Sequence, residues 1–422
     1  MTNKSFFDFL AVSTETAKIV SDAENKLFEV YKRIDNISLN NQAKVLKAFS
    51  DCKISDTHFN FSTGYGYDDN GRDALDKLYA KVFECEDALV RHNIISGTHS
   101  LTTAFFGVLR PNDTLLSVTG KPYDTLEEVI GLRGRGNGSL KDFGINYREV
   151  PLNNGNIDIE AIKKAIDKDI KAILIQRSKG YENRVSLSSQ EIGDIISEIR
   201  KIKNDIIVIV DNCYGEFVSE QEPTAFDADL VCGSLIKNPG GGLALTGGYI
   251  CGKKEFVELC AMRLTSPGLG KEVGSSLGLT RLMMQGLYFA PFVVAEAMKV
   301  AVLCSQIFSD LGFLVSPKPL DKRNCIIQAI EFGTKENVIS FCKGIQKGAA
   351  IDSFVSPEPW DMPGYSDPVI MAAGAFVQGS SIEISADAPI KPPYTAFMQG
   401  SLSYGYGKAG LTLALNELLG KK

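Results

Sequence analysis

Between residues 89 and 211 the chain alternates short apolar runs with amphipathic helical stretches, and no other feature restricts its fold as much. Leu89 to Asn93, Thr114 to Val118, Tyr147 to Leu152, Lys171 to Gln176 and Ile206 to Val210 read as strands. One helix opens at Ser96-Gly97-Thr98-His99-Ser100 and runs through Leu109, and another follows Lys121-Pro122-Tyr123-Asp124. Asp158 and Ser188 stand as caps for two more. Strands separated by helices of this length predict an α/β fold with a mostly parallel, doubly wound sheet covered on both faces.

Ligands of such sheets gather at the carboxyl ends of the strands. Gly97-Thr98, Tyr123, Arg177, Asp211 and Lys237 all fall at such ends. The run Ile206 to Val210 stops at Asp211-Asn212, and the next, Ala228 to Cys232, leads into Gly233-Ser234-Leu235-Ile236-Lys237-Asn238-Pro239 and three glycines. A carboxylate closing one buried strand, with a lysine after the next, is the skeleton of a site for pyridoxal 5'-phosphate. The lysine amine forms a Schiff base with the cofactor aldehyde. The carboxylate keeps the pyridine nitrogen protonated, so the ring accepts electrons. Ser234 is placed to reach the phosphate, and Gly97-Thr98 at a helix start offers unpaired N–H groups and a helix dipole. Each signal has an ordinary counterpart. Lysines ahead of glycine-rich turns are commonly solvated, and Gly-Thr before a helix is a common cap. Their convergence at one sheet edge is what favours the cofactor.

Other chemistries find less support. With 422 residues, 44% of them hydrophobic, the chain has length for two or three domains, and its formal net charge of -6 lacks the basic footprint of a nucleic-acid binder. No run is expected to reach the roughly 18 apolar residues of a membrane span. The start, through Phe6-Phe7-Asp8-Phe9-Leu10, is too short and acid-interrupted for a signal peptide, so a cytoplasmic location is expected. Nine scattered cysteines without a C-x-x-C pair argue against a disulfide framework, and His58, His92 and His99 are too dispersed for a metal site. Cys213 reads as a nucleophile or, more commonly for its type, as a small packing residue. No G-x-x-x-x-G-K-[ST] or G-x-G-x-x-G follows a strand.

Outside the alternating region, residues 14 to 50 read as two helices, Thr14 to Ile34 and one including Val45, Leu46 and Phe49, forming an arm on the main body or on a second subunit. The loop Ser62 to Arg72 carries Tyr65 and Tyr67 and reads either as a plain connection or as a segment reaching an active site, its own or a neighbour's. A long apolar helical region, Ser275 to Leu311, precedes short strands at Cys325 to Phe332 and Ser381 to Ser385 and helices at Lys335 to Gly348 and Gly407 to Leu419. The expected division is an arm (1–54), a cofactor-binding domain (55–295) and a smaller α/β domain (296–422).

These residues resemble the fold type I (aspartate aminotransferase-like) pyridoxal phosphate enzymes of cysteine and methionine metabolism, and in particular a bacterial family labelled methionine gamma-lyase-like or aluminium resistance protein. The resemblance covers nearly the whole chain, through Thr63 to Asp69, Ser96 to His99, Gln176-Arg177-Ser178, Val210 to Phe217, Gly233 to Gly241 and Pro267 to Glu272. It implies that Lys237 binds the cofactor and shuttles protons, and that Asp211 pairs with the pyridine nitrogen. Gly97, Thr98 and Ser234 would hold the phosphate, and Tyr123 would stack on the ring and act near the leaving group. Tyr65 or Tyr67 would reach a neighbouring subunit's phosphate, implying a homodimer or a homotetramer with shared sites. Two departures stand out. Ile236 replaces the threonine of the Ser-x-Thr-Lys pattern, and the Ser381-Ile382-Glu383-Ile384-Ser385 segment lacks the arginine that holds a substrate carboxylate in the better-known lyases. Arg177 and Lys391 are the substitutes to consider, against a structural ion pair for the first and a solvated loop for the second.

The activity this implies is a carbon–sulfur lyase of the methionine or cystathionine type, releasing thiol, ammonia and keto acid. The rivals are an aminotransferase of the same fold and a non-catalytic cofactor-binding protein linked to metal tolerance.

Overall fold

The computed structural model describes residues 4–134, 136, 138–180, 184–362 and 367–420. They fall into two compact units, Asn41–Phe289 and Met1–Asn40 with Ala290–Lys422.

The first unit is built on seven strands: β1 (Asp87–Arg91), β2 (Thr114–Ser117), β3 (Asn146–Glu149), β4 (Ile170–Gln176), β5 (Ile207–Asp211), β6 (Leu230–Ser234) and β7 (Gly248–Gly252). They lie in the order β1-β7-β6-β5-β4-β2-β3. The pairs β2/β3, β2/β4, β4/β5 and β5/β6 are parallel, and β7 runs against both β1 and β6. Every residue of β5, β6 and β7 is buried, as strands covered on both faces must be. The apolar core runs from Leu101 and Phe105 on the helix Gly97–Val108 through Leu174, Ile209 and Ile250 on the sheet. The expected caps are in place. Asp158 accepts the N–H of Ala161 at 2.9 Å, and Ser188 forms a reciprocal box with Glu191. Each such cap contributes about 1 kcal/mol.

The second unit holds β8 (Leu314–Ser316), β9 (Gln328–Glu331), β10 (Val369–Ala373), β11 (Ser385–Pro389) and β12 (Thr395–Gln399), antiparallel in the order β10-β11-β12-β9-β8. Phe308, Phe313, Phe332 and Phe341 form an edge-to-face cluster in its core. The N-terminal helices belong here rather than to a separate arm. Thr16 Oγ1 donates to Asn416 Oδ1 at 3.1 Å, Lys408 pairs with Glu24 at 2.6 Å, and the Tyr31 and Tyr404 hydroxyls are 3.1 Å apart. The units therefore divide within the helices Phe28–Asp51 and Thr280–Asp310, not at the expected 54 and 295. Inside a continuous helix, composition marks no boundary.

Three further expectations differ. The helix expected over Thr14 to Ile34 is two, Thr14–Glu24 and Phe28–Asp51. The i→i+3 turn that separates them keeps Leu27 buried beside Val20, Ala23 and Val30, so the apolar period runs through the break. The strand expected at Ser381 to Ser385 begins only at Ser385, because the Glu383 carboxylate accepts the N–H groups of Phe376 and Val377 at 2.8 and 3.0 Å and closes a loop. Finally, Thr280–Asp310 is long and apolar enough to cross a membrane, contrary to the expectation that no run would be. Its most apolar window is 78% buried, as in a core helix.

Candidate active site

The register of the first sheet sets Gln176 of β4 beside Asp211 of β5, and Asp211 beside Cys232 of β6. Ser234 ends β6, and Lys237 follows one turn later. The helix Gly97–Val108 starts beyond the end of β1. These ends enclose a cavity of about 200 Å³ whose lining includes Gly97, Thr98, Tyr123, Asp211, Ser234 and Lys237. Six of the ten expected site residues therefore meet in one place.

Ser96 caps the helix by accepting the N–H of His99 at 3.0 Å, which leaves the first-turn N–H groups of Gly97 and Thr98 without helical acceptors. Gly97 stands in a tight spot. A Cβ there would come within 2.9 Å of Cys213 Sγ. Thr98 is fixed by a 2.7 Å bond between its hydroxyl and that of Thr125. Ser234 Oγ accepts the Ile236 N–H at 3.3 Å, so this hydroxyl bridges the turn toward Lys237.

Asp211 is buried, and one of its oxygens accepts the Cys213 N–H at 3.1 Å. Burial pushes its carboxyl up from the ordinary value, against the opposing pull of the Cys213 hydrogen bonds and the charges of Arg184 and Lys237. A buried carboxylate of this kind calls for a cationic partner. The Cys213 thiol, half-buried beside it, is pushed well up by burial and by the Asp211 charge. It stays a thiol, which fits the packing reading rather than the nucleophile.

Behind Asp211 lies a polar network. Asn212 donates to Glu222 Oε2 at 3.0 Å and to the Tyr249 hydroxyl at 3.2 Å. Tyr249 donates to Glu216 at 2.8 Å. Burial and the Glu222 charge lift the Glu216 carboxyl to about 8. Asn238, next to Lys237, donates its side-chain amide to the Glu216 carbonyl at 3.0 Å. Each of the two central residues is thus followed by a buried asparagine that anchors it.

The substrate role considered for Arg177 is corrected here. Its guanidinium is fully buried, bonded to Asn212, the Leu187 carbonyl and Glu222, and does not line the cavity. Its ion-pair partner is distant in sequence, so strand-end position alone suggested a ligand. Lys391 lies in the other unit, paired to Asp367 at 3.0 Å. Tyr65 and Tyr67 are 69% and 60% exposed and stack on each other at 5.4 Å, away from the cavity lining. Their loop is pinned by Arg72 to the Gly66 carbonyl at 2.7 Å. The sequence reading missed Tyr214 and Gln176 as lining residues. Gln176 was legible as a strand end, but nothing local marked Tyr214.

A mostly parallel sheet with lysine, carboxylate and helix N-terminus at its carboxyl edge defines a pyridoxal phosphate enzyme of fold type I. The Escherichia coli pyridoxal-5'-phosphate-dependent protein YhfS shares the fold alone, with a TM-score of 0.63 at 14% identity over 92% of this chain and 97% of that one. More narrowly, the chain belongs to the methionine gamma-lyase family, whose model matches residues 16–419. Uncharacterized protein YnbB of Bacillus subtilis (strain 168) is 51% identical over 418 residues, 99% of each chain. A carbon-sulfur lyase involved in aluminum resistance from Clostridium novyi NT has a TM-score of 0.94 at 50% identity, covering 97% of both chains. A Clostridium acetobutylicum structure, named as a candidate cystathionine beta-lyase involved in aluminum resistance, gives 0.96 at 48%, covering 98% of both.

Pyridoxal phosphate is the cofactor of that family. The residues of the cavity fit it: a glycine cradle with N–H groups and hydroxyls for an anion, a buried carboxylate for a cation, and an amine for an aldehyde.

Proposed function

We propose that this protein is a pyridoxal phosphate-dependent carbon–sulfur lyase acting on a sulfur-containing amino acid, of the methionine or cystathionine type. The observation that carries the reading is the convergence of Lys237, Asp211 and the Gly97-Thr98 helix start on one cavity. Gly97, Thr98 and Ser234 would hold the phosphate, Asp211 the ring nitrogen, and Tyr123 a ring face. Bound there, the cofactor supplies an electron sink for a carbanion at the substrate α-carbon.

The chain's own groups then divide the proton work. Lys237 Nζ takes the α-proton. The Tyr123 hydroxyl gives a proton to the departing sulfur. In a β-elimination these two transfers suffice, whereas loss from the γ-carbon also requires Nζ to hand the α-proton on to substrate or solvent and then take a β-proton. Assembly into a homodimer or homotetramer accompanies this reading, supported by the pinned loop that presents Tyr65 and Tyr67 outward.

The test is the visible spectrum of purified protein with added pyridoxal phosphate, before and after L-methionine, L-cystathionine and L-cysteine, with thiol and keto acid assayed. A cofactor band lost in Lys237→Ala, together with thiol release, is the expected result. Keto acid without thiol means transamination instead. Absence of any band overturns the roles given to Lys237 and Asp211.

A further inference from the structure

Tyr214 lines the cavity, and nothing above accounts for its placement. Its hydroxyl lies 3.1 Å from Lys237 Nζ, and the same nitrogen sits 5.1 Å from the centre of its ring. Together these distances put the amine just beyond the phenol oxygen, in hydrogen-bond geometry with the hydroxyl.

The backbone beneath it is strained. Tyr214 has a φ of +71°, a left-handed conformation that an aromatic residue adopts only where its surroundings impose it. The imposing contacts are present. The Gly215 N–H donates to the Asn212 carbonyl at 2.9 Å and closes the turn, and the Asn212 side chain is held by Arg177, Glu222 and Tyr249. Glycine would adopt this conformation without cost. Yet the glycine of this turn stands one residue later, and the strained position keeps a tyrosine. The turn that begins at Asp211 therefore delivers two groups to the cavity, a carboxylate and a phenol.

We propose that Tyr214 holds the Lys237 amine in the orientation that takes the substrate α-proton, and that the strained turn exists to put it there. The inference rests on the reading of Lys237 as the reacting amine. The proton moves from the substrate α-carbon to Nζ, and the C–H electron pair stays on the substrate. The resulting ammonium donates to the Tyr214 oxygen. When Nζ is neutral, the tyrosine O–H donates to its lone pair. The same contact serves both proton states, so the amine need not leave its position between them.

The experiment compares wild type, Tyr214→Phe, Tyr214→Gly and Lys237→Ala as apoproteins. It follows the rate of covalent pyridoxal phosphate capture, by the growth of the visible band and by borohydride trapping with peptide mapping. A second readout, taken after each protein is reconstituted with pyridoxal phosphate, is exchange of the α-proton of a bound L-amino acid in D2O. Tyr214→Phe keeps the ring and should keep the thermal midpoint, while capture and exchange slow about tenfold, the loss of one hydrogen bond to a charged group. Tyr214→Gly relieves the backbone, so it should be no less stable and still slow by at least as much. Falling rates without falling stability exclude a merely structural role. Wild-type rates in both variants overturn the proposal while leaving the site intact. Capture by Lys237→Ala as fast as by wild type overturns the reading of the site itself.

Discussion

The Arg177 guanidinium meets the Glu222 carboxylate at 3.0 Å, Nη1 to Oε2, with both side chains closed to solvent. The same Nη1 donates to Asn212 Oδ1 at 2.7 Å, so the pair is tied to the residue after Asp211. Removing one member of a buried pair strands the other charge. Arg177→Met should therefore destabilise the fold by about 3–5 kcal/mol in urea denaturation. Its folded fraction should keep the wild-type KM. A raised KM without loss of stability would instead return Arg177 to the substrate.

Glu216 gives a pH signature. Its carboxyl stands at about 8 in the folded chain against an ordinary 4.5, with burial the main cause. Below the ordinary value both folded and unfolded states carry the proton, and the group has no effect. Between the two values the unfolded chain releases the proton and the folded chain keeps it, so stability falls as pH rises. Above the folded value the full penalty is present. Glu216→Gln, which preserves an acceptor for Tyr249, should flatten that decline. By pH 9 it should gain on the order of 3 kcal/mol over wild type in denaturant titrations. Parallel pH profiles for the two proteins would refute a protonated Glu216.

The parallel sheet, and the six candidate residues that meet at one cavity, were legible because their signals are local. A run of β-branched residues ending in Asp211 marks both strand and ligand end, and Ser188 with Glu191 marks a helix start within four residues. Arg177 misled because its partners, Asn212 and Glu222, are 35 and 45 positions away and only the fold brings them near. Tyr214 stayed hidden for a different reason. Its positive φ is imposed by hydrogen bonds around the turn, while the glycine that usually signals such a conformation is its neighbour. The units' boundary was illegible because it falls within two helices.

Gly97 and Cys213 should be coupled. A methyl at position 97 would press on Cys213 Sγ at 2.9 Å, closer than Cβ contacts ordinarily come. Gly97→Ala should weaken pyridoxal phosphate binding by about tenfold or more, since overpacking shifts walls by forcing side chains from their rotamers. Cys213→Ala vacates the colliding sulfur. The double variant should therefore bind more tightly than Gly97→Ala alone, a positive coupling measurable by equilibrium dialysis. Simple addition of the two losses would place the effect of Gly97 on the ligand rather than on Cys213.

Asp211 should set how cofactor binding depends on pH. Burial raises its carboxyl, and a ring cation needs the ionised form. As pH falls through that raised value, Asp211 takes up a proton and its attraction for the ring nitrogen is lost, so affinity should fall toward acid. Asp211→Asn keeps the volume and an acceptor for the Cys213 N–H but cannot ionise. It should bind about 10–100-fold more weakly at neutral pH, the value of a charge-assisted hydrogen bond. Its affinity should also lose the acid limb seen in wild type. Lys237 remains in this variant, so covalent capture should persist while retention on dialysis shortens. An acid limb that survives in Asp211→Asn would mean that another group, the cofactor phosphate included, governs the pH dependence.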